Sequence, residues 1–316
     1  MASLLVGSVD LSPDGVIKAL VDRLPLVSAD HGLSQVELRL LFELRLPRVV
    51  MGGLVGAVLA VAGAGYQGVF RNPLADPYLL GVAAGAGLGA TAVIGLGASS
   101  AAIPPVAFAG GVAAVGATYV LSRTVGGRTT TSLILAGVAV AAFATAVQTF
   151  LLQRSYETLR EVYSWILGRL VTVGWGEVWT LFPYAVVAVT ALLLHRRLLD
   201  VLALGDEEAA GLGVNVVRVR RFVVLAATLA TAAAVSVSGL IAFVGIIVPH
   251  TIRLLTGWSY RVIIPLSLVY GATFLIVADL GARTLVAPAE LPIGVVTAFL
   301  GAPFFLLVLR TMRSSS

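Results

Sequence analysis

"VVMGGLVGAVLAVAGAGYQGVF", residues 49–70, is a long apolar run without a single charged side chain. A helix needs about 20 residues to cross the hydrocarbon core of a bilayer, so this run is long enough for one span. Its apolar residues are continuous, whereas a strand of a membrane β-barrel alternates apolar and polar residues. The stretch therefore predicts a membrane-spanning α-helix.

Six further charge-free windows follow along the chain, at 77–122, 129–153, 178–194, 222–252, 262–278 and 291–309. The first of these six is long enough for two spans, with a predicted break near Pro104-Pro105. The window 222–252 holds two short spans, with a predicted break near Ser238-Gly239. With one span in each of the other windows, the sequence predicts nine spans.

The bulk composition favours an all-α integral membrane protein. The chain has 316 residues, is 59% hydrophobic and has a mean hydropathy of +1.00, a level that soluble domains rarely reach. Its 34 glycines let membrane helices approach closely, so we expect a compact, polytopic helical bundle. The absence of cysteine excludes disulfides, thiol catalysis and cysteine metal sites. The net charge of +5 fits basic loops on one membrane face, and we expect no nucleic-acid partner.

The distribution of charge over the loops predicts an orientation. Alternating the loops along nine spans places twelve of the 21 basic residues and five of the 16 acidic residues on one side. Lysine and arginine are in excess on the cytoplasmic side of membrane proteins. We therefore expect the C-terminus and residues 202–221 to be cytoplasmic. Residues 1–48 are predicted to be an extracytoplasmic N-terminal segment, and residues 49–316 the transmembrane domain.

The N-terminal segment contains no span of its own. Its opening "SLLVGSVDL", residues 3–11, is apolar but too short to cross a bilayer. We expect it to be the outer end of a first helix that this chain lacks; the alternative is a chain that begins outside as written. Ser12-Pro13-Asp14 is typical of a helix start, so a short amphipathic helix is predicted over "GVIKALVDRL", residues 15–24.

Several kinds of chemistry are missing from the sequence. No phosphate-binding loop occurs, and the only lysine, Lys18, has no glycine-rich sequence before it, which argues against binding of ATP in the usual loop. The three histidines are scattered and form no metal motif, so we predict neither a metal site nor catalytic residues. The spans are nearly free of acids; Asp279 lies at a span end, four residues from Arg283, and is expected to pair with it. A carrier driven by an ion gradient would be expected to have more buried acids, and remains the alternative.

"LALGDEEAAGLGVNVVRVRR", residues 202–221, is highly charged for a chain in which only 12% of residues are charged. Three glycines argue against one continuous helix. From the residues alone, the stretch is either a solvated loop whose arginines orient the protein or a segment with a partner.

Five stretches in order resemble the permeases of ABC importers for iron chelates and vitamin B12: residues 45–90, 132–140, 202–221, 239–255 and 278–305. The resemblance implies a ten-helix fold, of which nine spans are visible here, in a non-catalytic permease subunit of the cytoplasmic (inner) membrane. It implies a homodimer, two separate ATPase subunits that carry ATP and Mg, and an extracytoplasmic substrate-binding protein. No cofactor is expected in this chain. The implied cargo is a metal chelate, with a ferric siderophore as the first candidate and heme or cobalamin as alternatives.

The same resemblance implies four groups of site residues. The residues expected to dock the binding protein are Arg45, Arg48 and Arg283. Those expected to couple to the ATPase, in two short helices with a turn at 211–213, are Leu204, Gly205, Asp206, Glu207, Ala210, Leu212, Gly213 and Val214. Those expected to form a cytoplasmic gate are Asn72, Pro73, Leu74, Ala75, Thr130, Thr131 and Ser132. Those expected to line the pathway are Tyr66, Gln67 and Gln148.

Each group also has a plainer interpretation that the residues leave open. The arginines could be interfacial side chains whose charged ends reach the headgroups. The gate loops could be ordinary turns with a helix cap. The polar residues within spans could hydrogen-bond one helix to another.

Overall fold

The computed structural model describes residues 1–7, 11–23, 30–125, 130–154, 156–170 and 174–314. The α-helices over these residues are, in chain order, α1 (Ala2–Leu5), α2 (Pro13–Asp22), α3 (Gln35–Arg39), α4 (Leu46–Phe70), α5 (Val82–Gly95), α6 (Ile103–Val125), α7 (Thr130–Arg154), α8 (Leu159–Ile166), α9 (Gly176–Ala203), α10 (Asp206–Gly211), α11 (Val216–Ser238), α12 (Val244–Thr256), α13 (Tyr260–Thr284) and α14 (Ile293–Ser314). Short 3₁₀ turns occupy Pro77–Leu80, Ser100–Ala102 and Tyr156–Thr158, and a π-helical turn occupies Leu40–Arg45. No strand occurs in these ranges, which confirms the all-α prediction.

The apolar windows correspond to helices α4–α7, α9 and α11–α14. Six of these helices are long and apolar enough to cross a membrane, and three shorter apolar ones, α5, α12 and α14, complete the set within the described ranges. Both predicted breaks are present. One falls between the end of α5 at Gly95 and Pro104-Pro105 in the first turn of α6. The other falls at Gly239, whose φ of +69° ends α11.

The run of residues 49–70 forms the centre of the bundle. The most apolar window of its helix is 78% buried, against 28–39% for four of the other long helices. Glycines explain this central position, because they let α4 lie directly against its neighbours. A Cβ on Gly56 would lie 2.2 Å from the carbonyl oxygen of Gly271 in α13, and one on Gly63 would lie 2.0 Å from that of Gly245 in α12.

The N-terminal segment contains the predicted helix α2, whose first turn is capped by the Ser12 hydroxyl accepting from Gly15 N. The helix that contains the first apolar window, however, begins earlier than position 49. Helix α3, the π-helical turn and α4 form one helical run, Gln35–Phe70, that begins at a capping box between Ser34 and Glu37. Charged residues before position 49 ended the apolar window, but charge does not prevent a helix from extending beyond the apolar core.

Residues 202–221 contain one separate short helix, and the prediction of two is wrong. Helix α10 follows Gly205, whose φ is +135°, and the turn after it includes Gly213 at φ +81°. The remaining arginine-rich part forms the first two turns of α11, at the start of which the Asn215 side chain accepts from Arg218 N. The Asn215 N-cap lets the long helix begin at Val216 and include these arginines, which leaves no room for a second short helix.

Candidate functional site

Two clusters of charged residues lie at opposite ends of α4. Arg48 belongs to the first turn of this helix, and Arg71 caps its last turn in a left-handed conformation with φ 49°. With a rise of 1.5 Å per residue, the two positions are about 35 Å apart along the helix axis. This separation is comparable to the thickness of a bilayer core, about 30 Å. The two clusters are therefore positioned to lie on opposite membrane faces.

The first cluster is centred on the carboxylate of Asp279, which is only 3% exposed. Arg48 donates to Asp279 Oδ1 through Nε at 3.1 Å and Nη2 at 2.9 Å. Arg283 Nε lies 3.1 Å from Asp279 Oδ2, which confirms the pairing expected from their four-residue spacing. The half-exposed Glu290 takes a further pair of hydrogen bonds from Arg48, at 2.9 and 3.2 Å. Two partly buried arginines thus share one buried acid, and Glu290 balances the second charge.

The N-terminal helix α1 covers Arg45 and Arg283, the other two arginines predicted to dock a binding protein. Arg45 is 5% exposed, and its Nη1 donates to the carbonyl oxygens of Leu4 and Leu5 at 2.7 and 2.8 Å. Arg283 Nη2 donates to two oxygens of Ser3, the hydroxyl oxygen at 2.6 Å and the carbonyl oxygen at 3.0 Å. The structure thus brings the three arginines into one cluster. Solvent reaches this cluster most easily at Glu290 and at Arg48, whose side chain is 16% exposed.

A cavity of about 170 Å³ adjoins this cluster. Its lining includes Arg48, Asp279 and Glu290, together with Ser164 from α8 and Arg169 after it. No local pattern marks Glu290 as a site residue, because its partner Arg48 is far along the chain and the loop that carries Glu290 has no motif of its own.

The second cluster is centred on Asp206, the first residue of α10. Arg220 of α11 donates through Nη2 to both carboxylate oxygens, at 3.0 and 3.1 Å. Arg71 Nη2 lies 3.3 Å from Asp206 Oδ1. The carboxylate therefore joins the end of α4, the short helix α10 and the first turns of α11. Residues 204–214, predicted to couple to an ATPase, are attached here to the loop predicted to form the gate.

The surface of the predicted coupling segment is partly apolar. Leu204 and Leu212 flank α10 and are 62% and 65% exposed. Glu207 and Ala210 are also exposed, whereas Val214 is half-buried. Two exposed leucines beside a short acidic helix offer apolar contact area and negative charge to a partner.

The predicted gate residues lie at the same end of the bundle as Asp206. Asn72 forms a compact turn, with its Oδ1 accepting from Leu74 N at 2.9 Å and its carbonyl oxygen accepting from Ala75 N at 3.1 Å. The alternation of α4, α5 and α6 returns the chain to this end, where Thr130, Thr131 and Ser132 form the first turn of α7. Arg128 and Thr129 of the same predicted loop lie outside the described residues.

Asp76 follows this turn and caps the next helical segment. Its Oδ1 accepts from Tyr78 N at 2.6 Å. Burial raises the pKa of the Asp76 carboxyl from 3.8 to about 6, and the hydrogen bond from the backbone only partly opposes that increase. The gate loop thus ends at a carboxyl that titrates just below neutral pH.

The polar residues predicted to line a pathway are buried between helices. The Tyr66 hydroxyl is 2.8 Å from Thr228 Oγ1, and both Tyr66 and Gln67 are fully buried. Gln148 is 9% exposed and donates to Thr91 Oγ1 at 2.9 Å. Other helices of the same chain enclose the side chains of Tyr66 and Gln67, and a role for them in lining the pathway stays a prediction. Hydrogen bonding between helices, the plainer alternative, describes all three.

Arg253 is a buried charge that no local sequence motif marks. It is 3% exposed, in the last turn of α12. Its Nη1 donates to Gln67 Oε1 at 2.9 Å and its Nη2 to the Tyr260 hydroxyl at 3.1 Å, while the Trp258 ring lies 5.2 Å from its Cζ. Gln67 also donates to the Gly245 carbonyl oxygen at 3.2 Å. Gln67 therefore holds a buried arginine near the C-terminal end of α4.

An open apolar groove of about 640 Å³ runs beside α14. Its walls include Ile166 and Leu167 of the α8 region, Leu240 after α11, and Val295 and Phe299 of α14. Phe299 is 75% exposed. Among the described residues, no group of three or more histidine, aspartate or glutamate side chains could hold a metal ion. The groove therefore offers apolar surface and carries no metal ligands.

A polytopic helical bundle with charged clusters at its two ends has the architecture of a membrane transport subunit. Residues 1–311 match the sequence model of the FecCD transport family. The chain belongs to that family and is a membrane permease subunit of an ABC importer. Such a subunit works with ATPase and binding-protein partners.

Individual relatives agree with this assignment. The chain is 44% identical to the cobalamin import permease BtuC of Halobacterium salinarum over 268 residues, which are 84% of this chain and 72% of that protein. It is 38% identical to the hemin transport permease HmuU of Yersinia pestis, over 96% of each chain. A solved metal-chelate type ABC transporter in an inward-facing conformation has a TM-score of 0.83 at 30% identity, and the match covers 94% of this chain and 95% of the other.

Proposed function

We propose that this chain translocates a metal chelate, with a ferric siderophore as the first candidate and heme and cobalamin as the alternatives. The names of the relatives support this class of cargo, since they include permeases for cobalamin, ferric citrate and hemin. The groove beside α14 is wide and apolar, which suits a large ligand that a binding protein has already selected.

Two copies of the chain are proposed to face each other and to enclose the pathway. The groove beside α14 is open, and Phe299, Leu306 and Leu307 of that helix are 75%, 61% and 60% exposed. A second copy would cover this apolar surface, and a ligand would pass along the shared axis. ATP hydrolysis would take place on separate ATPase chains, and the C-terminus would lie in the cytoplasm.

One observation carries the mechanism: the single helix α4 connects the two charged clusters. A binding protein would dock at the end with Arg48, and the ATPases would hold α10 at the end with Asp206. Because Asp206 binds Arg71 and Arg220, a movement of α10 would be transmitted to the gate loop and to α11. Alternating access would follow as the two ends open in turn.

Transport in proteoliposomes tests this proposal. The purified permease would be reconstituted with its ATPases, and the binding protein would be loaded with a ferric siderophore, heme or cobalamin. We expect uptake of one of these chelates that depends on ATP. Uptake that ignores ATP would indicate a gradient-driven carrier and contradict the proposal.

A pull-down tests the docking surface separately. Arg48→Ala, alone and combined with Arg45→Ala, should weaken association with the binding protein at low salt. Lys18→Ala removes the same charge from an exposed position and serves as the control. Equal affinity for the control and the arginine variants would exclude this surface as the docking site.

A further inference from the structure

A small cavity lies where the end of α6 meets the starts of α7 and α11. Its volume is about 110 Å³. Three arginines line it: Arg123 from the last turn of α6, and Arg220 and Arg221 from the second turn of α11. Three positive charges in one small cavity repel each other unless an anion lies between them.

The protein itself supplies only part of the balancing charge. Arg220 donates to Asp206 through Nη2, but its buried Nε has no hydrogen-bond partner. Arg123 and Arg221 are exposed, and within the described ranges neither forms an ion pair. Among the three guanidinium groups of the cavity, that of Arg220 has a carboxylate partner within the described ranges, and Arg220 shares this carboxylate with Arg71.

The other walls of the cavity are apolar or amphipathic. They are formed by Tyr119, Leu133 and Val217, together with the small hydroxyl side chain of Ser122. The cavity lies at the ends of helices that are long and apolar enough to cross a membrane, so it lies at the level of the lipid headgroups. A ligand there would have its anionic part against the arginines and its apolar part along the helices.

We propose that this cavity binds a phosphate group, supplied by the headgroup of an anionic phospholipid. The planar fork of arginine binds two phosphate oxygens at once, and basic pockets between membrane helices take anionic headgroups. Free phosphate has the same chemistry and is the alternative source. The inference depends on the membrane location of the chain and not on its cargo or its ATPase.

Such a phosphate would lie beside the cluster at Asp206. Arg220 lines the cavity and also binds Asp206, so a ligand on its Nε would hold the side chain that fixes α10. Anionic lipid is therefore expected to stabilise the junction of α10 and α11.

Native mass spectrometry on the purified full-length chain tests the site. The protein would be titrated with phosphatidylglycerol, and with phosphatidylcholine as the neutral lipid. We expect phosphatidylglycerol to be retained, and the double variant Arg123→Gln with Arg221→Gln to bind it about 30-fold more weakly, since each basic residue near the surface contributes about fivefold. Arg218→Gln, an exposed arginine of the same helix outside the cavity, is the matched control.

A second measurement separates the two sources of phosphate. Thermal unfolding in detergent would be followed with inorganic phosphate and with chloride at equal ionic strength. Stabilisation by inorganic phosphate that the double variant loses would support the site with a soluble ligand. Two results together would overturn the proposal. The wild type and the double variant would retain phosphatidylglycerol equally, and inorganic phosphate would not stabilise the wild type. Size-exclusion profiles would establish that the double variant, altered only at exposed side chains, is folded.

Discussion

The guanidinium of Arg71 lies 3.3 Å from the carboxylate of Asp206, and so joins the C-terminal cap of α4 to the first residue of α10. Arg71 has a positive φ, which turns the chain directly into the loop of Asn72 and Pro73. The same carboxylate binds Arg220 of α11. One acid therefore connects the segment proposed to contact the ATPase with the loop proposed to close the pathway.

Breaking this connection should uncouple ATP hydrolysis from transport. Arg71→Gln removes the contact to the gate loop and leaves the pair of Asp206 with Arg220. Both partners are 45% exposed, so we expect a loss of stability of only about 0.2–1 kcal/mol. The number of ligands transported per ATP should fall by about fivefold, the lower end of usual coupling energies.

The measurement is uptake and phosphate release in the same proteoliposomes. Arg218→Gln, in the first turn of α11, is the control that removes a charge without touching Asp206. An unchanged ratio of uptake to hydrolysis in Arg71→Gln would show that the contact transmits no movement.

A valine at Gly213 should also uncouple the two activities. No atom lies within 4 Å of a Cβ at Gly213 or Gly211, but Gly213 alone has a positive φ, +81°. Only Gly213→Val therefore strains the turn after α10, by about 1–2 kcal/mol. We expect reduced transport with normal docking of the binding protein for Gly213→Val, and normal transport for Gly211→Val. Similar transport by both variants would contradict a role for this turn.

Removing the charge of Asp279 should destabilise the protein strongly. Asp279→Asn leaves Arg48 and Arg283 without their shared buried partner, and loss of one member of a buried ion pair costs about 3–5 kcal/mol. Glu290→Gln, at the 46% exposed side chain in the same cluster, should cost about 1 kcal/mol or less. Thermal unfolding in detergent measures both, and equal midpoints for the two variants would refute the central position of Asp279.

Enlarging Gly63 should prevent correct packing of α4. A side chain there meets the carbonyl oxygen of Gly245, so Gly63→Leu forces α4 and α12 apart at a cost of about 1–3 kcal/mol or more. Gly116→Leu, on α6 with no atom within 4 Å of its Cβ, is the matched control and should gain about 0.5–1 kcal/mol from helix propensity. The yield of monodisperse protein in size exclusion should fall only for Gly63→Leu.

The stability of the protein should depend on the protonation of Asp76. Burial raises the pKa of this carboxyl from 3.8 to about 6, so the folded state binds a proton more tightly than the unfolded state. Stability should therefore fall as the pH rises from 3.8 to about 6, and then level off. Asp76→Asn retains the acceptor for Tyr78 N and should be more stable than the wild type at pH 7. The difference in stability between Asp76→Asn and the wild type, measured by thermal unfolding, should be smaller at pH 4 than at pH 7. An equal difference at both pH values would contradict the prediction.

The sequence alone determined the features that depend on local pattern. Hydropathy located the apolar helices, Pro104-Pro105 and Gly239 marked two of the breaks, and Ser12 marked the start of α2. The four-residue spacing was enough to pair Asp279 with Arg283. Each of these features follows from residues within one or two helical turns of each other, because side-chain spacing and backbone capping act over that range.

Only the tertiary structure decided which distant groups meet. Arg48 binds Asp279 and Glu290 across the chain, Arg71 binds Asp206, and Gln67 binds Arg253. Polar side chains expected beside a pathway lie between helices because α4, through its glycines, packs at the centre of the bundle. Hydropathy records how apolar a helix is, but not which neighbours it has, and the neighbours decide whether a polar side chain in an apolar helix faces a ligand or another helix.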